Sequence, residues 1–127
     1  MTTQVIVGAL ALLILIVYVR RMIQTRSVTQ YSPAEVEGLM QKRSSLLLLD
    51  VRTAAERQHG SIKGSVHIPL QKLQERLDDL AKNKNKEIVC YCQSGNRSLT
   101  AALLLRRNGF KAANMRGGMA EWNFVHR

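Results

Sequence analysis

"EIVCYCQSGNRSLTAALLLRRNGF" (residues 87–110) holds three kinds of segment in succession. Glu87 to Cys92 is a short apolar run, the pattern of a strand buried on both faces of a parallel sheet. Ser98 onward repeats apolar residues as a helix does, and Gly109 stops it. Between them, Cys92 to Ser98 offers a thiol, short polar side chains, one glycine and an arginine. Such a loop reads as a plain turn, as a metal clip or as an anion-binding catalytic loop.

The same alternation continues on both sides. Ser32, Pro33 and Glu35 in "YSPAEVEGLM" make a capping box with proline at the first helical position, so a helix begins there. "LLLLDV" (Leu46 to Val51) is a second buried strand, which puts Asp50 at a strand's carboxyl end. "PLQKLQERLDDL" repeats leucine at positions 70, 73, 77 and 80, one helical stripe packed on a core. "FKAANM" is a further strand, followed by Gly117, Gly118 and a short helix holding Trp122. Strands alternating with helices at these lengths predict an α/β fold, with a mainly parallel central sheet flanked by helices on both faces. Ligands of such sheets bind at the carboxyl ends of the strands, where Cys92 lies.

The 127 residues suffice for one such domain. The first quarter reads differently, because "VIVGALALLILIVYV" (Val5 to Val19) is apolar and uncharged throughout. As a helix it rises about 22 Å, and Thr2, Thr3 and Gln4 extend it to about 27 Å, near the ~30 Å hydrocarbon thickness of a bilayer. The division expected is a transmembrane helix over residues 4–19, a basic and polar linker over 20–30 and a folded domain over 31–127. A cleaved secretory signal is the rival, but "MTTQ" carries no Lys or Arg and no small-x-small site follows Tyr18. A soluble helix buried on all sides is the other, and a small domain has little with which to wrap it. Arg20, Arg21 and Arg26 follow the span, so the positive-inside rule puts the C-terminal domain in the cytoplasm of a single-pass membrane protein. Two cysteines in that reducing compartment argue for thiol chemistry or plain burial, not a disulfide.

The formal net charge is +10. Part of it is the juxtamembrane arginines, and "KNKNK" (Lys82 to Lys86) reads as a solvated turn. With no aromatic residues interleaved there, a nucleic-acid partner is not expected. Anionic lipid, or a small anionic substrate, accounts for the charge more simply.

Within the loop, Gly95 is free to take positive φ, and successive N–H groups can point inward as an anion nest joined by the positive end of the following helix. A thiol held there is lowered in pKa and nucleophilic. Arg97 adds a planar fork of donors suited to an oxyanion. Cysteine phosphatases place their arginine six residues after the cysteine; here Arg97 is fifth and Ser98 sixth.

With those residues in hand, residues 31–127 resemble a single-domain rhodanese, the thiosulfate sulfurtransferase family. The loop "CQSGNR" matches the family's active loop, and "DVRTAAERQHGSIKGSVHIP" (Asp50 to Pro69) matches its Asp-Val-Arg, Glu, Gly-His-Ile-x-Gly-Ala-x-Ile-Pro signature. "RGGMAEW" matches its closing glycine pair and tryptophan. Arg57 stands where the family usually has an aromatic, Ser61 where it has histidine and Ser65 where alanine is common; these departures bear on local packing more than on chemistry.

The resemblance implies that Cys92 takes the outer sulfur of thiosulfate or another sulfane donor, holds it as a persulfide and passes it to a thiol or protein acceptor, without a cofactor. It implies that the backbone of Gln93, Ser94, Gly95, Asn96 and Arg97 holds the terminal sulfur, that Arg97 orients the anionic donor, and that Asp50, Arg52 and Ser98 support the loop. Two alternatives stay open: a cysteine-dependent phosphatase or arsenate reductase on the same fold, and a non-enzymatic module that carries persulfide or recruits a partner at the membrane. Cys90, inside the strand, reads as core. A Cys90–Cys92 disulfide would close a strained ring. Metal binding by the cysteines with His59, His67 or His126 lacks the usual ligand pairs. His67 reads as a satisfied strand-end histidine, Asp50 as structural, and Gly117, Gly118 and Trp122 as a turn and a core anchor.

Overall fold

The two apolar runs become the centre of one sheet. Strands β2 (Leu46–Asp50) and β4 (Glu87–Tyr91) pair in parallel, with Leu46 opposite Glu87 and Asp50 opposite Tyr91. Strand β5 (Lys111–Met115) extends the sheet beyond β4, and two-residue strands close the edges: β1 (Gln30–Tyr31) beside β5 and β3 (Val66–His67) beside β2. The order is β1-β5-β4-β2-β3, and every pairing is parallel. This computed structural model describes residues 1–42 and 45–127.

Alternate side chains of the central strands feed two cores, as the two-residue strand period requires. Leu49, Ile88, Cys90 and Cys92 pack with Ala101, Ala102 and Leu105 of α6 (Asn96–Arg107) and with Leu73 and Leu80 from the 70–83 segment. On the opposite face, Leu48, Val89, Tyr91, Ala113 and Met115 meet Val36 of α2 (Pro33–Lys42) and Met119 of α7 (Gly118–Val125). Each of the buried Leu, Ile and Val side chains stabilises the domain by roughly 1.5–3 kcal/mol. Cys90, fully buried in the first core, is the packing residue its position in the strand implied.

Several elements depart from the sequence expectation. At Ser32 the hydroxyl accepts the Glu35 N–H, which is one of the two bonds of the expected capping box. The leucine stripe of 70–80 does not make one helix: single helical turns over Leu70–Leu73 (α4) and Leu77–Leu80 (α5) alternate with 3-10 turns over Gln74–Arg76 and Ala81–Asn83. Leu73 and Leu80 still reach the core, so the chain keeps its apolar anchors while the axis bends around the domain. A five-residue helix, α3 (Ala54–Gln58), follows β2, held by a capping box between Thr53 and Glu56.

The N-terminal helix α1 runs over Thr2–Arg26 and so continues through much of the stretch expected as linker; only Ser27 to Thr29 separate it from β1. Its candidate membrane span, Thr2–Gln24, has a mean hydropathy of 2.4. The large apolar side chains from Val5 to Val19 are exposed, a far longer apolar surface than a protein normally leaves to water. The helix is therefore long and apolar enough to cross a membrane. Its end is tied to the domain at the C-terminal turn of α6: Arg107 donates to Gln24 Oε1 at 2.8 Å, and Arg106 donates to the Ser27 carbonyl. A groove of about 470 Å³ between α1 and α6, lined by Arg20, Arg21, Leu103, Leu104 and Arg107 among others, contains no thiol or carboxylate.

Candidate active site

Because β2 and β4 end in register, the segments after Asp50 and after Tyr91 emerge side by side at the carboxyl edge of the sheet. The second of these is the loop from Cys92 to Ser98. Gly95 takes φ +101°, which closes the loop, and a Cβ there would press on Gly117 N at 3.1 Å. Helix α6 starts at once, with no side-chain cap. Its orphan N–H groups turn to sulfur instead: Gly95 N–H lies 3.1 Å and Ser98 N–H 3.4 Å from Cys92 Sγ, and the Ser98 hydroxyl 3.3 Å. The thiol thus occupies the place of a capping oxygen at a helix N-terminus, where negative charge is favoured.

Cys92 is fully buried, and burial alone would push its thiol pKa up. The hydrogen bonds from the Ser98 hydroxyl, the Ser98 N–H and the Gly95 and Ser94 N–H groups together outweigh that, leaving it below the ordinary 9.0. Cys90 has no such donors; burial, with the nearby Cys92 charge, drives its pKa well up and keeps it a neutral thiol. Ser98 is thereby the residue that most directly favours the thiolate. Removing its hydroxyl in Ser98→Ala is expected to raise the Cys92 pKa, because one hydrogen bond to the charged sulfur is lost. The midpoint of the pH profile for alkylation of Cys92 by iodoacetamide would report it; an unchanged midpoint would remove Ser98 from this role.

The closing glycine pair serves the same loop. Gly117 and Gly118 take φ +76° and +56°, and a Cβ on Gly118 would collide with the carbonyl oxygen of Cys92 and come within 2.7 Å of Gln93 C. Without that Cβ, the first turn of α7 approaches closely enough for Met119 N–H to donate to Cys92 O at 2.9 Å and Ala120 N–H to Gln93 O at 3.1 Å. The loop is gripped from both ends by helix N-termini, α6 on its sulfur and α7 on its carbonyls. Trp122, expected as a core anchor, is half-buried against the second core and stacks on His126 at 4.2 Å between ring centroids.

Asp50 and Arg52 are buried together and act on the loop indirectly. Asp50 Oδ1 accepts from Arg52 N–H and Nε, both at 3.0 Å, and Oδ2 accepts from Arg52 Nη2 at 2.9 Å. Arg52 in turn donates to the carbonyls of Gly60 at 2.7 Å and Glu56 at 3.4 Å, which fixes α3. Burial would raise the Asp50 pKa, but the Arg52 side-chain and backbone donors hold it below the usual carboxylate value. His67, as expected, is satisfied at its strand end, its Nε2 hydrogen-bonded to Arg52 O at 2.7 Å.

Two of the departures from the family pattern form one contact. Arg57 donates to Asp50 Oδ2 at 3.0 Å, to Ser65 Oγ at 3.1 Å and to Ser65 O at 3.0 Å. Ser65 Oγ also lies 2.8 Å from the Tyr91 hydroxyl, which reaches Asp50 Oδ2 at 3.2 Å. A basic side chain in place of an aromatic and a hydroxyl in place of a methyl compensate each other.

Sequence reading missed Glu56 as a site residue. Its carboxylate receives both terminal nitrogens of Arg97 at 2.7 Å each, and the Thr53 N–H and hydroxyl hold it from the other side. The arginine, with its hydrogen bonds foremost, pulls the Glu56 pKa down to about 2. Asn114 was missed too: its Nδ2 donates to Gly95 O at 3.1 Å and to Gln30 Oε1 at 2.8 Å, pinning the turn of the loop from β5. Only the "E" of the Asp50 to Pro69 signature hinted at Glu56, and no local signal marked Asn114. A cleft of about 330 Å³ opens beside the loop, with Arg52, Glu56, His59, Gln93, Met119 and Asn123 among its walls.

Comparison with known proteins points to one family. The profile of a family described as Rhodanese-like domain matches residues 32–124. A Bacillus subtilis (strain 168) protein, YtwF, provisionally named a sulfurtransferase, is 35% identical over 95 residues, covering 75% of this chain and 90% of its own. A protein of Allochromatium vinosum named sulfurtransferase is 35% identical over 78 residues, covering 61% of this chain and 71% of its own. Among solved structures, a thiosulfate sulfurtransferase from Pseudomonas aeruginosa superposes with a TM-score of 0.69 at 27% identity, over 80% of this chain but only 20% of that one.

Proposed function

The chain belongs to the rhodanese-like domain family, and from that membership and the loop geometry we propose that it is a sulfurtransferase carrying sulfane sulfur on Cys92. The observation that carries this reading is the convergence of Gly95 N–H, Ser98 N–H and Ser98 Oγ on one sulfur at the start of α6. Those donors stabilise a thiolate, and the thiolate is the nucleophile.

In the first half-reaction the Cys92 thiolate attacks the outer sulfur of the donor. The bond from that sulfur to the rest of the donor breaks; from thiosulfate, sulfite leaves with the electron pair. Cys92 then carries a persulfide whose terminal sulfur holds the charge, and the backbone N–H groups of residues 93–97 are the proposed cradle for it. In the second half-reaction a thiol of the acceptor, or cyanide in an assay, attacks the terminal sulfur and the Cys92 thiolate is regenerated. Cys92 is buried, and the cleft beside exposed Gln93 is the proposed way in. No base is required, since the loop already favours the ionised thiol.

This double displacement predicts parallel lines in double-reciprocal plots of initial rate against thiosulfate at several fixed cyanide concentrations. Intersecting lines would argue for a ternary complex and against a covalent carrier. Low turnover with cyanide together with efficient handover of sulfur to one protein would favour the relay alternative, and the absence of any sulfur loading would favour plain recruitment.

The proposed setting is the cytoplasmic face of a membrane, supported by the exposed apolar surface of α1 and by Arg20, Arg21 and Arg26 at its end. In sealed right-side-out vesicles, added protease should spare the domain. Its digestion would place the domain on the other side.

A further inference from the structure

An arginine in the active loop was expected to receive the donor's negative charge, yet its fork is already filled. Arg97 Nη1 and Nη2 each donate at 2.7 Å to one oxygen of Glu56, the geometry of a bidentate ion pair. Glu56 is in turn set by its place in α3, where the Thr53 N–H at 3.3 Å and the Thr53 hydroxyl at 3.1 Å both reach Oε1. The pair is about one-third exposed on each side, and Glu56 forms part of the wall of the cleft beside Gln93. A donor entering there meets the Glu56 carboxylate, while both guanidinium groups near it are engaged, Arg97 by Glu56 and the Arg52 of the cleft wall by Asp50.

We propose that Glu56 is a specificity-determining residue that selects against small dianionic sulfur donors and in favour of persulfides whose organic part is uncharged. The inference rests on the sulfurtransferase reading above and names the substrate class of that site. Thiosulfate carries two negative charges, one of them on a sulfonate that needs a cation in the site. To obtain Arg97 it must break the bidentate pair and leave the Glu56 carboxylate without its cation, beside the donor's own charge. A persulfide R–S–SH makes no such demand. The Cys92 thiolate attacks its outer sulfur, the S–S bond breaks, and R–S⁻ leaves with its electron pair and takes the proton of the transferred sulfur; R–SH departs and Cys92–S–S⁻ remains, its charge on the terminal sulfur. The part left behind needs apolar or neutral walls, which Met119 and Asn123 supply in the same cleft. Specificity here comes from a built-in repulsion as much as from an attraction.

The test is steady-state kinetics of the full chain in detergent with two donors, thiosulfate and the persulfide of 2-mercaptoethanol, for the native protein, Glu56→Gln and Glu56→Asp. Glu56→Gln keeps the shape, removes the charge and releases the fork. Its KM for thiosulfate is expected to fall about ten-fold, the worth of one charge-assisted hydrogen bond made available, and its KM for the persulfide to change much less than that. Glu56→Asp, which retains the charge, is expected to keep the high thiosulfate KM. An unchanged thiosulfate KM in Glu56→Gln, equal shifts for both donors, or equal effects of the two variants would overturn the proposal. Loss of both activities in Glu56→Gln would assign Glu56 to the fold and overturn it as well. If neither donor sulfurates Cys92 in the native protein, it is the sulfurtransferase reading that fails.

Discussion

Cys92→Ser is expected to abolish sulfur transfer, lowering cyanide-dependent thiocyanate formation by at least about a thousand-fold, while the thermal midpoint stays within about 2 °C of native. A serine hydroxyl fits the space of the thiol and accepts the same N–H donors. It is not ionised near neutrality, however, and an alkoxide would form no persulfide. Cys90 cannot substitute, because it is buried in the strand as a neutral thiol without the donors that hold Cys92. Thiocyanate assay and circular dichroism of the full chain in detergent would check both halves. Retained turnover would remove Cys92 from the chemistry; a lost fold would show that the sulfur is needed as a helix cap.

The largest expected effect on stability belongs to Asp50→Ala. This variant leaves Arg52, 3% exposed, with its positive charge buried and unpaired, and takes a partner from Arg57 and from the Tyr91 hydroxyl. Breaking a buried pair by removing one member costs about 3–5 kcal/mol. Chemical denaturation of the full chain in detergent should show a loss of that size, and a loss below about 1 kcal/mol would contradict the account of the network. The same carboxylate gives the stability a pH dependence. Its folded-state pKa lies below the ordinary 3.8, so the folded state binds the proton more weakly than the unfolded chain. The contribution of the pair is therefore complete above about pH 4 and declines as the pH falls below that toward the folded value.

Much of this architecture was legible in order along the chain. The apolar runs at 46–51 and 87–92 identified the two central strands, and their parallel pairing placed Asp50 and Cys92 at one edge. Gly109 marked the end of α6, which begins at Asn96, two residues before the expected Ser98. What escaped was short or distant. Strands β1 and β3 have two residues each, too few for any periodicity, and α3 has five, visible only through its Thr53 and Glu56 cap. The leucine spacing of 70–80 survived as burial but not as one helix, because a stripe specifies which residues face the core and not how the backbone bends between them.

The site shows the same division. The loop was readable because its thiol, glycine and arginine are contiguous. The partner that occupies Arg97 is 41 residues away, and the contact depends on α3 being fixed by Arg52. The glycine pair at 117 and 118 read as a turn; its purpose, letting α7 reach the carbonyls of Cys92 and Gln93, needed the packing to be seen. Arg57 and Ser65 were visible as departures, and only together, around Asp50, do they make sense.

The central claim is that one sulfur is held on Cys92 between two half-reactions, and intact mass spectrometry of the full chain tests it most directly. After thiosulfate, the native protein is expected to gain about 32 Da, lose it on adding cyanide, and show no gain as Cys92→Ser. No adduct on the native protein with either thiosulfate or a persulfide donor, or an adduct that persists in Cys92→Ser, would contradict it.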